Sequence, residues 1–330
     1  MLTWSSSPKR FPIDKNSKIY VAGNTGMVGS AIARNLKKRG YNNLIFSPRS
    51  QVDLRNQDSV KSFFKDQRPD YVFLAAAKVG GILVNNKFRA DFIYDNMMIQ
   101  NNIIHYAYKF HVKKLLFLGS SCIYPKDCSQ PMKEEYLLTN KLEPTNEPYA
   151  IAKISGIKLC ESYNRQYGTE FLSIMPTNLY GEGDNFNLKS SHVLPALIRK
   201  IYEAFTNDQP VVDIWGTGEV SREFLHVDDC AEASIFVLQN LNYQYFESEK
   251  ISHINIGSGK EVTILNLANL ISEIIGFKGN FHFDITKPDG MKRKLLNCDR
   301  INALGWESKI SLQAGLEKTI RYFSRLNRDK

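Results

Sequence analysis

Short apolar runs alternate with amphipathic stretches over the first half of the chain. Runs of strand length, rich in β-branched and aromatic residues, occupy residues 18–22, 44–46, 71–74, 114–118 and 171–175. Between them, apolar positions at helical spacing predict helices at residues 30–36, 56–67, 90–110 and 149–167. Strands that alternate with helices in this way form parallel sheets, so the pattern predicts an α/β fold with a doubly wound parallel sheet.

The alternation becomes less regular after Gly181. Residues 181–191 are rich in Gly, Asn, Asp and Ser, which predicts a loop at a domain boundary. Later elements are predicted at residues 211–215, 228–238, 254–257 and 264–275. We therefore expect a flexible tail at 1–17, a dinucleotide-binding domain at 18–181 and a smaller, mainly substrate-binding α/β domain at 182–330. Later segments can return to the first sheet, and the cleft between the two parts is the predicted binding site.

Three glycines follow the first predicted strand, in the pattern Gly23-x-x-Gly26-x-x-Gly29. Glycines at these points let the backbone turn tightly and approach a pyrophosphate, which binds at the N-terminus of the next helix. The alternative is a glycine-rich surface turn. The position between a strand and a helix favours a Rossmann-type nucleotide site.

The end of the second predicted strand indicates which nucleotide binds. A site for NAD usually has an acidic residue there, but this chain has Ser47, Pro48 and Arg49. Arg49 can pair with a 2′-phosphate, which favours NADP; the alternative is a solvated loop arginine. Asp53 either accepts a hydrogen bond from the adenine amino group or caps the following helix.

Two further patterns suggest chemistry. Ser120, Ser121 and Cys122 follow the fourth predicted strand, and ligands of open α/β sheets bind beyond the carboxyl ends of strands. Tyr149 and Lys153 are four residues apart, so they share one helix face, where the ammonium is expected to lower the tyrosine pKa. An exposed helix turn is the alternative for an isolated Tyr-x-x-x-Lys match.

Composition narrows the class of protein. The 330 residues are 43% hydrophobic and 23% charged, without an apolar run long enough to span a bilayer. The formal charge of +9 is spread along the chain, which favours phosphorylated ligands over nucleic acid. Five cysteines without paired spacing predict a reducing, cytoplasmic location, and no metal-binding motif is present. We expect no membrane partner and no metal.

The glycine pattern, Ser120 and Tyr149-x-x-x-Lys153 together resemble the extended short-chain dehydrogenase/reductase family. Within that family, four stretches are similar to enzymes that epimerise and then reduce a GDP-linked 4-keto sugar. These stretches are AAAKVGGI at 75–82, GSSCIYP at 119–125, EPTNEPYAIAK at 143–153 and REFLHVDD at 222–229. The resemblance runs from about residue 18 to the C-terminus. It implies a bifunctional 3,5-epimerase and NADPH-dependent 4-reductase that converts GDP-4-dehydro-6-deoxy-D-mannose to GDP-L-fucose, as a homodimer.

The resemblance also implies roles for individual residues. Cys122 is the expected base and His192 the expected acid for epimerisation; outside the family they would be a small buried residue and a loop histidine. In the reduction Tyr149 would protonate O4, Lys153 would hold the nicotinamide ribose, and Ser120 would polarise the carbonyl. The implied substrate contacts are Ser121, Asn178, Lys200, Trp215, Arg222 and Lys294. The implied NADP contacts are Gly23, Thr25, Gly26, Met27, Val28, Gly29, Arg49, Asp53, Leu54, Ala76, Leu118, Gly119, Lys153, Pro176, Asn178, Leu179 and His192.

The chain departs from the family pattern at two positions. Thr25 stands where some members have Arg, which removes one possible contact with a 2′-phosphate. Lys200 stands where Arg also occurs, which replaces a guanidinium that can form two parallel hydrogen bonds to a phosphate by a single ammonium charge. The rival functions are another nucleotide-sugar enzyme of the same fold, such as a 4-epimerase or 4,6-dehydratase, and a catalytically silent NADP-binding regulator. Cys122 stands where a dehydratase would be expected to carry an acidic residue, and the intact Ser120, Tyr149 and Lys153 disfavour the regulator.

Overall fold

The computed structural model describes residues 11–287 and 289–328, so residues 1–10 of the predicted tail lie outside the described part. The strands are β1 (Ile19–Ala22), β2 (Leu44–Ile45), β3 (Tyr71–Leu74), β4 (Lys114–Leu118), β5 (Phe171–Pro176), β6 (Asn178–Tyr180), β7 (Val211–Trp215), β8 (Ser221–His226), β9 (Ile254–Ile256), β10 (Glu261–Thr263), β11 (Asn280–Asp284) and β12 (Arg293–Lys294). The α-helices are α1 (Met27–Lys38), α2 (Gln57–Gln67), α3 (Ile82–Lys87), α4 (Arg89–Lys109), α5 (Glu147–Tyr167), α6 (Val193–Thr206), α7 (Val227–Asn240), α8 (Tyr243–Ser248), α9 (Ile264–Ile275), α10 (Asp299–Ala303) and α11 (Leu312–Arg328).

Six parallel strands form the central sheet in the order β2-β1-β3-β4-β5-β9. The order reverses direction between β1 and β3, and a crevice at the carboxyl ends of the strands is expected at such a reversal. Strand β9 pairs with β5, so a late segment does return to this sheet. The predicted doubly wound parallel sheet is confirmed, whereas the division of the chain at residue 181 stays a prediction.

A second group of strands lies beyond β5. Strand β8 pairs with β6 and β12 in parallel and with β10 in antiparallel, and β7 pairs with β11. One large hydrophobic cluster surrounds the central sheet and includes Phe73, Phe117 and Phe171. A separate cluster joins α6, α9 and α11 through residues such as Ile198 and Leu316. Strand β7 and part of β8 therefore rest on a core separate from that of the central sheet.

Several elements lie outside the predicted set. Helix α6 is one of them; Pro195 lies in its first turn, where a missing N–H breaks no helical hydrogen bond. Helix α5 begins two residues before Tyr149, at Glu147, with a proline in the first turn. Within residues 11–287 and 289–328, no helix is long and apolar enough to cross a membrane.

Candidate active site

The glycine turn forms a surface that only backbone can provide. Gly23 has φ +86, and a Cβ there would lie 2.7 Å from the Ala76 nitrogen. A Cβ on Gly29 would lie 2.1 Å from the Gly23 carbonyl oxygen, so the helix packs directly on the turn. Gly26 is the N-cap of α1 and has no side chain to cover the N–H groups of Met27 and Val28. The turn therefore fits a dinucleotide pyrophosphate, which binds at exposed helix N–H groups.

The end of β2 carries an exposed Arg49, at the edge where the sequence predicts the 2′-phosphate. Asp53 lies near it, but Asp53 is already paired with Arg55, whose Nη2 is 2.9 Å from the carboxylate. Hydrogen bonds from Arg55 lower the pKa of Asp53 to about 2. The cap of α2 is Asn56, which accepts from the Ser59 N–H, so the capping alternative for Asp53 is wrong. Asn56 is the cap because it is the residue immediately before the first helical residue, Gln57.

The remaining predicted cofactor contacts lie at the carboxyl ends of the neighbouring strands. Leu118 ends β4, and a Cβ on Gly119 would lie 2.3 Å from the Met175 methyl group, so a larger residue there would require the Met175 side chain to move. Pro176 ends β5, and Asn178 and Leu179 begin β6. The Leu54 carbonyl, next to Asp53, accepts a hydrogen bond from the Asn102 side chain. Thr25 lies within the glycine turn. These residues follow one edge of the sheet.

Tyr149 and Lys153 lie on α5 beside the end of β4. The Lys153 ammonium donates to the Leu118 carbonyl at 2.8 Å and lies 5.8 Å from the centre of the Tyr149 ring. Ser120 hydrogen-bonds to the Tyr149 phenol, and the Phe92 ring meets the Tyr149 ring edge to face. The predicted Ser–Tyr–Lys group is therefore assembled in space.

The prediction that Lys153 lowers the pKa of Tyr149 is wrong. Burial raises the pKa of the Tyr149 phenol above its usual range, instead of Lys153 bringing it near neutrality. Burial also lowers the pKa of Lys153 to about 8. The reason is that the ammonium is directed to the Leu118 carbonyl, while the phenol is removed from water without a charged donor.

Cys122 lies on a single 3₁₀ turn, Ser121–Ile123, that follows β4. The nearby charges of Lys294 and Lys153 and a hydrogen bond from Ser120 favour its thiolate, but burial outweighs them and raises the pKa of the thiol. Burial wins because only 9% of the residue reaches solvent.

His192 is the N-cap residue of α6. The loop before His192 is joined to the start of α3, since the Gly81 N–H donates to the Ser190 carbonyl at 3.0 Å. The residue as a whole is exposed, but desolvation of the imidazole by the surrounding protein lowers its pKa, and the charge of Lys294 adds to that effect. Lys294 thus acts electrostatically on both predicted epimerisation residues.

The predicted substrate contacts include three cations, Lys200 on α6, Arg222 on β8 and Lys294 on β12. Lys200 lies 5.7 Å from the centre of the Trp215 ring, and Trp215 is 47% exposed. Arg222 and Lys294 are neighbours in register on β8 and β12. Asn178 is less available than predicted, because its side-chain amide donates to the Glu223 carbonyl at 2.8 Å. Ser121 is buried in the turn that carries Cys122.

The chain is similar in sequence to known proteins. A family model for the NAD dependent epimerase/dehydratase family matches residues 19–257. The chain belongs to this family. It is 54% identical to the GDP-L-fucose synthase of Escherichia coli, over 93% of this chain and 96% of that one.

Solved structures give the same assignment. A GDP-6-OMe-4-keto-L-xylo-heptose reductase from C. jejuni superposes with a TM-score of 0.91 at 40% identity, covering 96% of this chain and 99% of the other. A GDP-L-fucose synthetase from Naegleria fowleri with NADP bound gives 0.88 at 29% identity, covering 98% of each chain. The predicted family and Rossmann-type fold of this epimerase/dehydratase family member are confirmed.

One candidate contact was not predicted from the sequence of this family member. Lys287 lies 5.8 Å from the centre of the Trp215 ring, so Trp215 is within reach of two cations. Lys287 lies in a polar stretch where lysines are common, and only the pairing of β7 with β11 brings it near Trp215. Spacing in the sequence carries no signal for it.

Replacing Lys153 by Met should alter stability in a pH-dependent way. Folding lowers the pKa of Lys153 from 10.5 to about 8, so between these values the unfolded chain binds the extra proton. The wild type should therefore gain stability relative to Lys153→Met as the pH rises above 8, by roughly 2 kcal/mol at pH 9.5. Urea unfolding at pH 7 and pH 9.5 measures this, with Lys158→Met on the same helix as the control. A stability difference that stays constant with pH would contradict the burial of Lys153.

Proposed function

We propose that this enzyme converts GDP-4-dehydro-6-deoxy-D-mannose to GDP-L-fucose, by inverting C3 and C5 and then reducing C4. The observation that carries the proposal is the grouping of Cys122 with Ser120, Tyr149 and Lys153 at one strand end, with Lys294 acting on Cys122. The identity of 54% to a GDP-L-fucose synthase over nearly the whole chain supports the predicted reaction and enzyme class.

The epimerisation depends on the C4 ketone. The ketone acidifies the C–H bonds at C3 and C5, because the carbanion formed there is an enolate. We assign the base to the Cys122 thiolate and the acid on the opposite face to His192. Lys294 favours the thiolate but disfavours a protonated His192. A substrate diphosphate beside Lys294 would offset both effects: it would favour a protonated His192 and weaken the support that Lys294 gives to the Cys122 thiolate.

The reduction uses the other half of the site. The cofactor supplies the hydride when it is bound. Tyr149 donates its proton to O4, and the raised pKa of the phenol keeps that proton in place until charge develops on O4. Ser120, which hydrogen-bonds to Tyr149, polarises the carbonyl. Lys153 holds the ribose and compensates negative charge on the tyrosine oxygen.

The cofactor is NADP(H), as the sequence predicts. The family and the NADP-bound relative support this assignment. We infer that the pyrophosphate binds at Gly23, Gly26 and Gly29, where the backbone N–H groups are free of side chains. Arg49 would contact the 2′-phosphate, since Arg55 is already occupied by Asp53 and Asp95. On the substrate side, Lys200, Arg222 and Lys294 would hold the diphosphate and Trp215 would pack against the ligand.

A 4-reductase without epimerase activity is the second candidate, because the heptose reductase superposes closely. One experiment separates the two functions. The protein is incubated with GDP-4-keto-6-deoxymannose and NADPH in heavy water, and nicotinamide absorbance is followed together with deuterium at C3 and C5. We expect NADPH to be consumed with one deuterium incorporated at each carbon, and a slower reaction with NADH. NADPH consumption without deuterium would establish the simple reductase, and no consumption would exclude both functions.

We further propose a homodimer in the cytoplasm. Helices α4 and α5 pack together and leave Tyr94 and Tyr167 exposed at 63% and 46%, which suits a two-fold contact between these helices. All five cysteines are free, which suits a reducing compartment. Sedimentation velocity would test the dimer, and a mass of one chain at micromolar concentration would exclude it; cell fractionation would test the location.

A further inference from the structure

Three fully buried polar side chains lie behind the turn that carries Cys122. They are Tyr124, His253 and Asn255, each with 2% or less of its surface exposed. The Tyr124 hydroxyl is 2.5 Å from the Asn255 side-chain oxygen and 2.7 Å from His253 Nε2. Burying so many polar atoms is costly unless each is paired, and this cluster is paired throughout.

The hydrogen bonds of the cluster fix the direction of each proton. The Asn255 amide nitrogen donates to the Met132 carbonyl at 3.0 Å and to the Asn297 carbonyl at 3.1 Å. The Asn255 oxygen is therefore an acceptor, and the Tyr124 hydroxyl must donate to it. His253 Nε2 then donates to the Tyr124 oxygen, which assigns the tautomer of the neutral ring. Burial lowers the pKa of His253 to about 3, in agreement with a neutral ring.

The cluster joins the two backbone segments that matter for epimerisation. Tyr124 directly follows the turn Ser121–Ile123 that presents Cys122. On the other side, the Met132 N–H donates to the Leu295 carbonyl and the Asn297 N–H donates to the Met132 carbonyl, both at 2.8 Å. Leu295 directly follows Lys294. Asn255 is thus hydrogen-bonded to Tyr124, which adjoins the turn that carries Cys122, and to Asn297, which lies three residues after Lys294.

We propose that Tyr124 and Asn255 are positioning residues that hold the Cys122 thiol at a set distance from the Lys294 ammonium and thereby govern the epimerisation rate. The proposal rests on the proposed function. Neither residue touches the substrate; both act through Cys122. Ser120 adjoins the turn, but the Tyr149–Lys153 pair is anchored on α5 and through the Leu118 carbonyl, so the hydride step should be much less sensitive to the cluster than epimerisation is.

Electrostatics explains why the distance matters. Cys122 is faced by Lys294 and Lys153 as cations and by Ser120 and Tyr149 as polar groups. The thiol is buried, so its thiolate depends on those cations, and charge interactions weaken as the separation grows. A shift of the turn by a fraction of an ångström would also misplace the base relative to C3 and C5.

The test compares two rates in Tyr124→Phe, which keeps the ring and loses the hydroxyl. Epimerisation is measured as deuterium uptake from heavy water into GDP-4-keto-6-deoxymannose with NADP⁺, so that no reduction occurs. The hydride step is measured in the first turnover of GDP-L-fucose oxidation by NADP⁺, in which C4–H is transferred to NADP⁺ and the O4 proton is lost. We expect deuterium uptake to fall about 10- to 100-fold and its acidic limb to move to higher pH, with oxidation within about twofold of wild type.

A matched control is Tyr41→Phe, which removes another buried, hydrogen-bonded hydroxyl far from the cleft. It should leave both rates unchanged. Asn255→Ser is the second variant, and it should give the same selective loss as Tyr124→Phe. An equal loss of both rates, or unchanged deuterium uptake in a folded Tyr124→Phe, would overturn the positioning role. A wild type that neither exchanges deuterium nor oxidises GDP-L-fucose would instead refute the proposed function.

Discussion

Cys122→Ser should lose deuterium uptake at C3 and C5 by about a hundredfold or more, while NADPH still binds. A serine hydroxyl is nearly the same size as the thiol but is a far weaker acid, so Lys294 and Lys153 cannot stabilise its anion as they stabilise a thiolate. Because the C4 reduction follows the inversions, GDP-L-fucose formation should fall in parallel. Mass spectrometry of the exchanged substrate measures the first effect, and fluorescence titration with NADPH measures the second.

The control for Cys122→Ser is Cys160→Ser, which also places a hydroxyl where a buried thiol stood, on α5. Cys160→Ser should keep wild-type exchange in the folded enzyme. Exchange at the wild-type rate in Cys122→Ser would mean that another group is the base. Loss of NADPH binding in Cys122→Ser would mean that the turn after β4 had moved. The lost exchange would then report that movement and would not support Cys122 as the base.

Tyr149→Phe should show the opposite pattern. Deuterium uptake at C3 and C5 should continue, because Cys122 and His192 remain, whereas NADPH oxidation should fall by about a hundredfold to ten-thousandfold. The phenylalanine ring can keep the edge contact with Phe92, so the loss reports the missing proton donor. Stopped-flow absorbance of NADPH and mass spectrometry of the sugar measure the two steps on one sample.

Tyr163→Phe on the same helix is a matched control for Tyr149→Phe. Its hydroxyl bonds to His105 on α4, away from the end of β4, and its loss should leave NADPH oxidation unchanged. Near-wild-type NADPH oxidation by Tyr149→Phe would assign the proton to another donor. Loss of both exchange and oxidation would show instead that Tyr149 is needed to bind the sugar.

Burial favours the neutral form of three residues in the site. It raises the pKa of Cys122 and of Tyr149, and it lowers the pKa of Lys153. Charges in this site therefore depend on a few fixed partners. Lys294 is the partner that reaches both Cys122 and His192, which makes its distance from Cys122 a sensitive quantity. This is why a buried cluster that controls that distance can affect one chemical step and spare the other.

Much of the fold and part of the site follow from the sequence alone. The alternation of apolar runs predicts the central strands and helices α1, α2, α4 and α5, because local periodicity reports which face of an element is buried. The glycine spacing and the Tyr149–Lys153 pair are also local, so their places at a strand end and on one helix face can be read directly. The lack of a carboxylate after β2 likewise indicates NADP without knowledge of the fold.

Other features required the tertiary structure, because they depend on residues far apart in the chain. Tyr124 meets Asn255, and Lys294 reaches Cys122, only after β9 and β12 have paired with their sheets. The role of Asp53 was open until Arg55 was seen to bind it. The prediction of a lowered pKa for Tyr149 was wrong, since a sequence shows which charges are near along the chain but not how much water is excluded. Local spacing therefore determined which groups carry the chemistry, and long-range packing decided their burial, their partners and their protonation.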